Sequence, residues 1–195
     1  MSNKINYIIP MFRINFIYLI LLSMTLTATK EPQYDLIKQD GKIEIRQYPE
    51  YVIAKTSVKQ VDVNQSNNMF RTLAGYIFGG NTNNQSIPMT APVITQNNNL
   101  NYSMIFFMLE AKELKDLPAP NNKNISLEYM GIGKTISISF GMWATEKRVN
   151  YYKEKLDKYI KENYIQVQSP LMVAQYNSPW ALPPFRKNEL LYTIK

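Results

Sequence analysis

The chain has 195 residues, of which 45% are apolar and 19% charged, so one globular domain is expected rather than a disordered or polytopic membrane protein. It contains neither cysteine nor histidine, which excludes disulfides, zinc–thiolate and iron–sulfur sites, cysteine nucleophiles, serine–histidine catalysis and histidine-ligated metals. The net charge of +7 comes from scattered lysines and arginines without a DNA-binding motif, so no nucleic-acid partner is predicted.

Residues 1–28 have the composition of a targeting segment. Lys4 and Arg13 are the charged residues of this segment, an apolar run follows at residues 16–22, and small residues lead to Ala28. The apolar run is shorter than the roughly 20 residues that span a bilayer, and this layout is typical of a signal peptide. We therefore predict cleavage near Ala28 and an exported protein, periplasmic or secreted.

An uncleaved N-terminal anchor is the main alternative to the signal peptide. Leu26 fits poorly at the position three residues before the expected cleavage site, and Ile5–Phe12 adds further apolar length. Residues 29–195 would then be held at a membrane by this segment alone, whereas cleavage would release them.

Short strands separated by polar turns are predicted from residue 34 onwards. In Lys42–Arg46 apolar and charged residues alternate with period two, which indicates a strand with one solvated face. An amphipathic helix is predicted over Asn64–Phe78, ended by Gly79-Gly80-Asn81, and a second over Thr145–Asn163. The predicted strands cover residues 34–37, 42–48, 51–58, 87–95, 102–109, 125–129, 135–142, 172–176 and 190–194.

The order of these elements repeats on either side of a turn rich in proline and asparagine at residues 117–124. Each half contains strands, one helix and then two further strands, which suggests a duplicated unit whose copies share one sheet. The apolar stripe of the second helix, Val149, Tyr152, Leu156 and Ile160, is interpreted as core packing rather than a cofactor site.

Four stretches in this chain go beyond composition. They are Ile43-Glu44-Ile45-Arg46-Gln47-Tyr48, Gly75-Tyr76-Ile77-Phe78-Gly79-Gly80-Asn81, Ile87-Pro88-Met89-Thr90-Ala91-Pro92-Val93-Ile94 and Arg186-Lys187-Asn188-Glu189-Leu190-Leu191-Tyr192. In this order and at these separations they resemble the SOUL family of haem-binding proteins, over about residues 34–194. The Met-Thr-Ala-Pro-Val and Arg-Lys-Asn-Glu blocks are the most specific of them.

The resemblance implies an α+β fold: a distorted antiparallel β-barrel flanked by two α-helices, built from two similar halves and akin to effector-binding domains. It also implies a shallow apolar cleft beside the first helix that takes haem or another porphyrin non-covalently, with a basic side chain near the propionates. The ligand-binding residues implied here are Phe70, Leu73, Ala74 and Ile77 of the helix, Met89, and Arg71 as the propionate partner.

Two positions depart from the family pattern. Gln47 occupies the position at which one branch of the family carries a histidine proposed as the iron ligand, and Leu182 occupies that of a basic residue in another branch. Because the chain has no histidine, the resemblance implies tetrapyrrole binding without histidine ligation, and neither a metal site nor a catalytic residue is predicted. Arg186 and Glu189 have a second interpretation, in which ion pairs tie the last strand to the barrel.

The leading hypothesis is a non-catalytic, monomeric carrier or sensor of a hydrophobic anionic small molecule, a tetrapyrrole. One alternative is a hydrolase of small hydrophobic compounds, which relatives of the effector-binding fold include, using one of four glutamates: Glu44, Glu110, Glu128 or Glu189. Another is a protein-interaction module that has lost ligand binding. A membrane is expected as a partner only through an uncleaved N-terminal segment.

Overall fold

The computed structural model of the protein describes residues 29–59, 66–98, 100–178 and 180–195, so the predicted targeting segment lies outside the described residues. The elements are β1 (Asp35–Asp40), β2 (Ile43–Gln47), β3 (Glu50–Lys59), α1 (Ser66–Ile77), β4 (Val93–Asn97), β5 (Asn101–Phe107), β6 (Ile125–Gly131), β7 (Lys134–Phe140), α2 (Glu146–Glu162), β8 (Met172–Gln175) and β9 (Asn188–Thr193). Short 3-10 turns lie at Leu114–Asp116 and Pro183–Phe185. None of the helices in the described part of the chain is long and apolar enough to cross a membrane.

The strands form one antiparallel sheet in the order β1-β2-β7-β9-β8-β4-β5-β3-β6. The run β4-β5-β3-β6 mirrors the run β8-β9-β7-β2, and the two runs meet where β4 pairs with β8. β2 and β6 are exchanged, because each pairs with a strand of the other half. This arrangement confirms the α+β fold and the two similar halves predicted from the repeat.

The expectation of a closed barrel is wrong, because the sheet remains open. β1 and β6 are its two edges, and within the described residues each pairs with one neighbouring strand. β1 is exposed along its whole length and carries charged side chains, which suits an edge strand that faces water. At the other edge, the Leu114–Asp116 turn covers β6, where the Leu114 N–H donates to the hydroxyl of Tyr129 at 3.3 Å.

Both helices pack on the same face of this sheet. Helix α1 buries Met69, Leu73, Tyr76 and Ile77 against β3 and β5, and α2 buries Leu156 against β7 and β9. Side chains alternate between the faces of a strand, so Ile53 of β3 and Leu191 of β9 point to the opposite, helix-free face. A third apolar cluster forms there with Ile94, Phe107 and Met172 among its members.

Proline and glycine residues set the start of β4 and the end of α1. The strand predicted over residues 87–95 begins only at Val93, because Pro88 and Pro92 lack the N–H that a ladder needs. The predicted helix stop is confirmed: the Gly80 N–H donates to the carbonyl of Gly75 at 2.8 Å. A Cβ at Gly80 would lie 2.6 Å from that carbonyl oxygen, so glycine is needed for this close approach.

Candidate ligand-binding site

A cleft of about 220 Å³ opens between α1 and the junction of the two halves. Helix α1 and the residue beyond it supply one wall, the segment before β4 supplies the floor, and the turn after β8 supplies the other wall. The lining residues are Thr29, Phe70, Ala74, Phe78, Met89, Thr90, Ala91, Val93, Gln175, Tyr176, Asn177 and Ser178. The volume is below the roughly 300–1,000 Å³ of sites that enclose a drug-sized ligand, so this cleft fits part of a larger molecule.

The exposed walls of the cleft are aromatic and aliphatic. Phe70 is 37% exposed, with its ring centroid 5.6 Å from that of the buried Phe106 in an edge-to-face contact. Phe78 is 73% exposed, and Met89 and Val93 are half-buried. A cleft with accessible apolar surface can bind a flat apolar ligand favourably.

Three of the six predicted ligand-binding residues line this cleft: Phe70, Ala74 and Met89. Leu73 and Ile77 are fully buried in the core beneath α1, so their side chains are separated from the cleft. The spacing of the helix explains the division, since Phe70 and Ala74 are one turn apart and point along one side, whereas Leu73 and Ile77 point along another. Phe78 lies one further turn along on the same side and also lines the cleft, although it was not among the predicted residues.

Arg71 lies apart from the cleft. It is exposed and lines a separate depression with Thr72, Gly75, Tyr76, Gly80, Asn121 and Asn122. The cation beside the cleft is instead Lys187, whose Nζ lies 3.8 Å from the ring centroid of Tyr176 and 3.0 Å from Oε2 of Glu31. Lys187 belongs to the Arg-Lys-Asn-Glu block, but its proximity to the cleft depends on the pairing of β8 with β9.

A buried polar group lies behind the cleft, and we call Arg46, Glu189, Tyr48, Tyr176 and Glu44 the Arg46–Glu189 cluster. The guanidinium of Arg46 donates from Nη1 to Oε2 of Glu189 at 2.8 Å and from Nη2 to Oε1 at 2.9 Å. Its Nε donates to Glu44 at 2.7 Å, and Nη1 also donates to the hydroxyl of Tyr48 at 3.0 Å. The Tyr176 hydroxyl donates to Oε2 of Glu189 at 2.7 Å.

Burial and pairing together determine the ionisation of this cluster. Arg46 is 3% exposed and Glu189 1% exposed. Burial by itself raises the pKa of the Glu189 carboxyl, but the hydrogen bonds and charge of Arg46, with the donation from Tyr176, outweigh it and hold that pKa below its ordinary value. Burial, and then the charge of Glu189, raise the pKa of Tyr176, and burial raises that of Tyr48 to about 12. Glu189 is therefore an anion and both tyrosines are neutral at physiological pH.

The lowered pKa of Glu189 predicts acid sensitivity. A carboxyl whose pKa is lower in the folded than in the unfolded chain stabilises the fold above its ordinary value of 4.5. That contribution is lost as the pH falls through the lowered folded pKa. Urea unfolding from about pH 7 down to about pH 3 should show this loss, and the double substitution Arg46→Met with Glu189→Gln should flatten it. An equally steep acid loss in the double variant would assign the effect to other carboxyls.

The glutamates considered for hydrolysis are all engaged in ion pairs. Glu44 contacts Arg46, Glu110 contacts Lys30 at 2.7 Å, and Glu128 contacts Lys55 at 3.2 Å. Glu189 is the deeply buried one, but both of its oxygens accept hydrogen bonds and its pKa is lowered. A general base for neutral pH needs a free oxygen and a raised pKa, and Glu189 has neither. The described residues also contain no group of three or more acidic side chains that could hold a metal ion.

Comparisons with known proteins concern the family and the fold of this chain. The family model described as SOUL heme-binding protein matches residues 29–193. A hydrolase from Listeria innocua is similar at 10% identity over 82% of this chain and 94% of that one, with a TM-score of 0.56. The C-terminal domain of EcmrR is similar at 10% identity over 78% of this chain and 96% of that one, with a TM-score of 0.60. These two likenesses show the effector-binding-domain-like fold alone, and the curated proteins contain no matching sequence.

Proposed function

Because the chain belongs to the SOUL family of haem-binding proteins, we propose that it is a carrier or sensor that binds haem or another tetrapyrrole non-covalently in the cleft beside α1. The observation that carries the proposal is the exposed apolar lining formed by Phe70, Phe78 and Met89 next to the cation of Lys187. A tetrapyrrole combines a flat apolar ring with anionic propionates, and this arrangement offers a partner for each part.

The residues in the cleft favour the ring over the iron. The chain has no histidine or cysteine, and the hydroxyl of Tyr176 is neutral and donates to Glu189. Met89 brings the thioether sulfur that lines the cleft, which is a weak ligand without a stronger partner. A bound haem would supply a redox-active iron, but the side chains described here act by burying the ring and pairing its carboxylates. Binding should therefore depend little on the metal.

Lys187 is the propionate partner that the geometry favours. It stands over the ring of Tyr176, which lines the cleft, and its present partner Glu31 is on the surface. An exposed ion pair of this kind contributes about 0–1 kcal/mol, so a propionate can replace Glu31 at small cost. Arg71, which the family resemblance implied, faces the separate depression and remains the competing candidate.

The test is an absorption titration with haemin and with metal-free protoporphyrin. We expect both to shift their Soret bands, with dissociation constants within about tenfold of each other, since iron ligation adds little. Ala74→Glu places an anion inside the cleft and should weaken both by at least about tenfold, because the buried charge would be unpaired and would repel the propionates. The proposal fails if neither Soret band responds.

Thr72→Glu is the matched control, because it adds the same charge to the same helix but lines the separate depression. It should leave both affinities unchanged. Lys187→Gln and Arg71→Gln then separate the two propionate partners: weaker binding in the first alone supports the cleft described here, whereas weaker binding in the second alone would move the ligand to the other side of α1.

The proposal also covers the location of the protein, its oligomeric state and the hydrolase alternative. Export through the predicted segment at residues 1–28, with or without its cleavage, is proposed from sequence alone, and so is a monomeric state. The family is named for binding, and the hydrolase among the similar structures shares the fold at 10% identity. With Glu189 held by Arg46, no described feature favours hydrolysis over binding.

A further inference from the structure

The loop between β8 and β9 carries an unusual apolar surface. Trp180 is 91% exposed, Leu182 65% and Phe185 75%. No charged residue occurs from Ser178 to Phe185. Single exposed apolar residues are ordinary on protein surfaces, but three large ones within six positions mark a contact surface.

This loop is ordered by hydrogen bonds within it and by a contact with Trp143. Nε of Arg186 donates to the carbonyl of Ala181 at 3.0 Å, and Nη2 donates to the carbonyl of Ser178 at 3.2 Å. The guanidinium of Arg186 lies 3.5 Å from the ring centroid of Trp143, and the Phe185 N–H donates to the carbonyl of Leu182. The backbone of the loop therefore has partners of its own, so the exposed side chains can leave water without stranding these polar groups.

We propose that Trp180, Leu182 and Phe185 insert into the interface of an anionic lipid bilayer. A tryptophan and a phenylalanine beside a leucine form the combination that settles at the boundary between headgroups and acyl chains. Lys187, whose side chain is 46% exposed, follows the loop. Without Lys4 and Arg13 of the predicted targeting segment, the net charge of +7 becomes 7 − 2 = +5, and this excess attracts anionic headgroups. A second copy of the chain carries the same positive excess and would be repelled by it.

The position of Thr29 supports the same orientation. Thr29, the first described residue, lines the cleft together with Ser178 at the base of the loop. The sequence that precedes it contains the apolar run at residues 16–22. The described part of the chain therefore begins on the same side of the domain as the loop, and the loop needs no N-terminal segment for its own insertion.

The lipid contact would also give the ligand a route into the cleft, and this inference rests on the proposed function. Ser178 lines the cleft and begins the apolar loop, so the cleft opens beside the surface assigned to the bilayer. A tetrapyrrole partitioned into the lipid would reach Phe78 and Met89 without crossing bulk water. Failure of haemin binding in lipid-free buffer would remove this consequence and leave the lipid contact itself unaffected.

The experiment uses the full chain with a single tryptophan. The chain contains two tryptophans, and Trp143→Phe leaves Trp180 as the sole tryptophan. With vesicles of phosphatidylcholine and phosphatidylglycerol, its emission should shift to shorter wavelength and be quenched by brominated acyl chains. Leu182→Ser with Phe185→Ser in the same background should raise the lipid concentration for half-quenching at least about tenfold, because two apolar side chains no longer leave water.

The control moves the tryptophan to a distant exposed position. Tyr164 is 92% exposed beyond the end of α2 and lines a different depression, with Ile45 and Ile194. Trp143→Phe and Trp180→Phe combined with Tyr164→Trp should give no shift and no quenching. The proposal is overturned if position 180 behaves like position 164, if neutral phosphatidylcholine vesicles quench it equally well, or if the shift occurs without lipid together with a doubled molecular mass.

Discussion

Replacement of Arg46 by alanine is expected to lower the free energy of unfolding by about 3–5 kcal/mol, because it leaves the carboxylate of Glu189 buried without its cation. Glu189 is 1% exposed and accepts from Arg46 through both oxygens, and after the substitution the hydroxyl of Tyr176 would be its remaining side-chain partner. Guanidinium chloride unfolding of the variant and the unchanged protein measures this difference. A loss below about 1 kcal/mol would mean that water reaches the carboxylate.

Two control variants test whether the unpaired charge causes the loss of stability. The double substitution Arg46→Met with Glu189→Gln removes both charges and should recover much of the loss, since the cost lies in the unpaired charge rather than in the absent pair. Lys158→Ala breaks an exposed pair with Glu162, at 3.8 Å, and should change stability by less than about 0.5 kcal/mol. A double variant as unstable as the single one would assign the loss to packing of the Arg46 stem.

The Arg46–Glu189 cluster also explains two of the family-like motifs. Arg46 comes from the Ile-Glu-Ile-Arg stretch of β2 and Glu189 from the last block, 143 positions apart in the chain. The sheet order places β7 between β2 and β9, and the two side chains meet across it. The interpretation in which Glu189 ties the last strand to the fold is therefore correct, although its partner is Arg46. Arg186 instead bonds to the carbonyls of Ser178 and Ala181 and stacks on Trp143.

Local periodicity predicted most elements because each strand or helix has its own apolar pattern. Alternation at Lys42–Arg46 indicated β2, and the helix predicted from Thr145 begins at Glu146, with Thr145 as the N-cap whose side chain accepts from the N–H of Arg148. Partnerships between elements were harder, since no local pattern encodes that β2 pairs with β7 rather than within its own half. For the same reason an open sheet and a closed barrel share one strand pattern.

Only part of the candidate site could be predicted from the sequence. The family resemblance implied α1 as the wall of the cleft and Phe70, Ala74 and Met89 among its lining, and all three residues line it. It did not separate them from Leu73 and Ile77, since that depends on the rotation of the helix against β3 and β5. It missed Lys187, because its position over Tyr176 arises from the register of β8 and β9, in which Gln175 faces Asn188.

Leu73→Ala is the second large effect we expect, a loss of about 2–5 kcal/mol in the free energy of unfolding. Leu73 is fully buried among Met69, Tyr76 and Phe106, so the deletion removes apolar contacts and leaves a cavity. The dissociation constant for protoporphyrin, measured well below the unfolding midpoint, should stay within about threefold of the original value, since the side chain is separated from the cleft.

Phe70→Ala on the same helix should show the opposite pattern. Phe70 keeps 37% of its surface exposed and lines the cleft, so its removal should cost clearly less stability than that of Leu73. It should weaken protoporphyrin binding by about tenfold, because the porphyrin loses its contact with the phenyl ring of Phe70. Equal weakening of the ligand by both substitutions would show that α1 shifts on binding, or that the tetrapyrrole enters beneath the helix and not beside it. The crossed pattern, with stability lost at one position and affinity at the other, would establish that one helix divides its two faces between the core and the ligand.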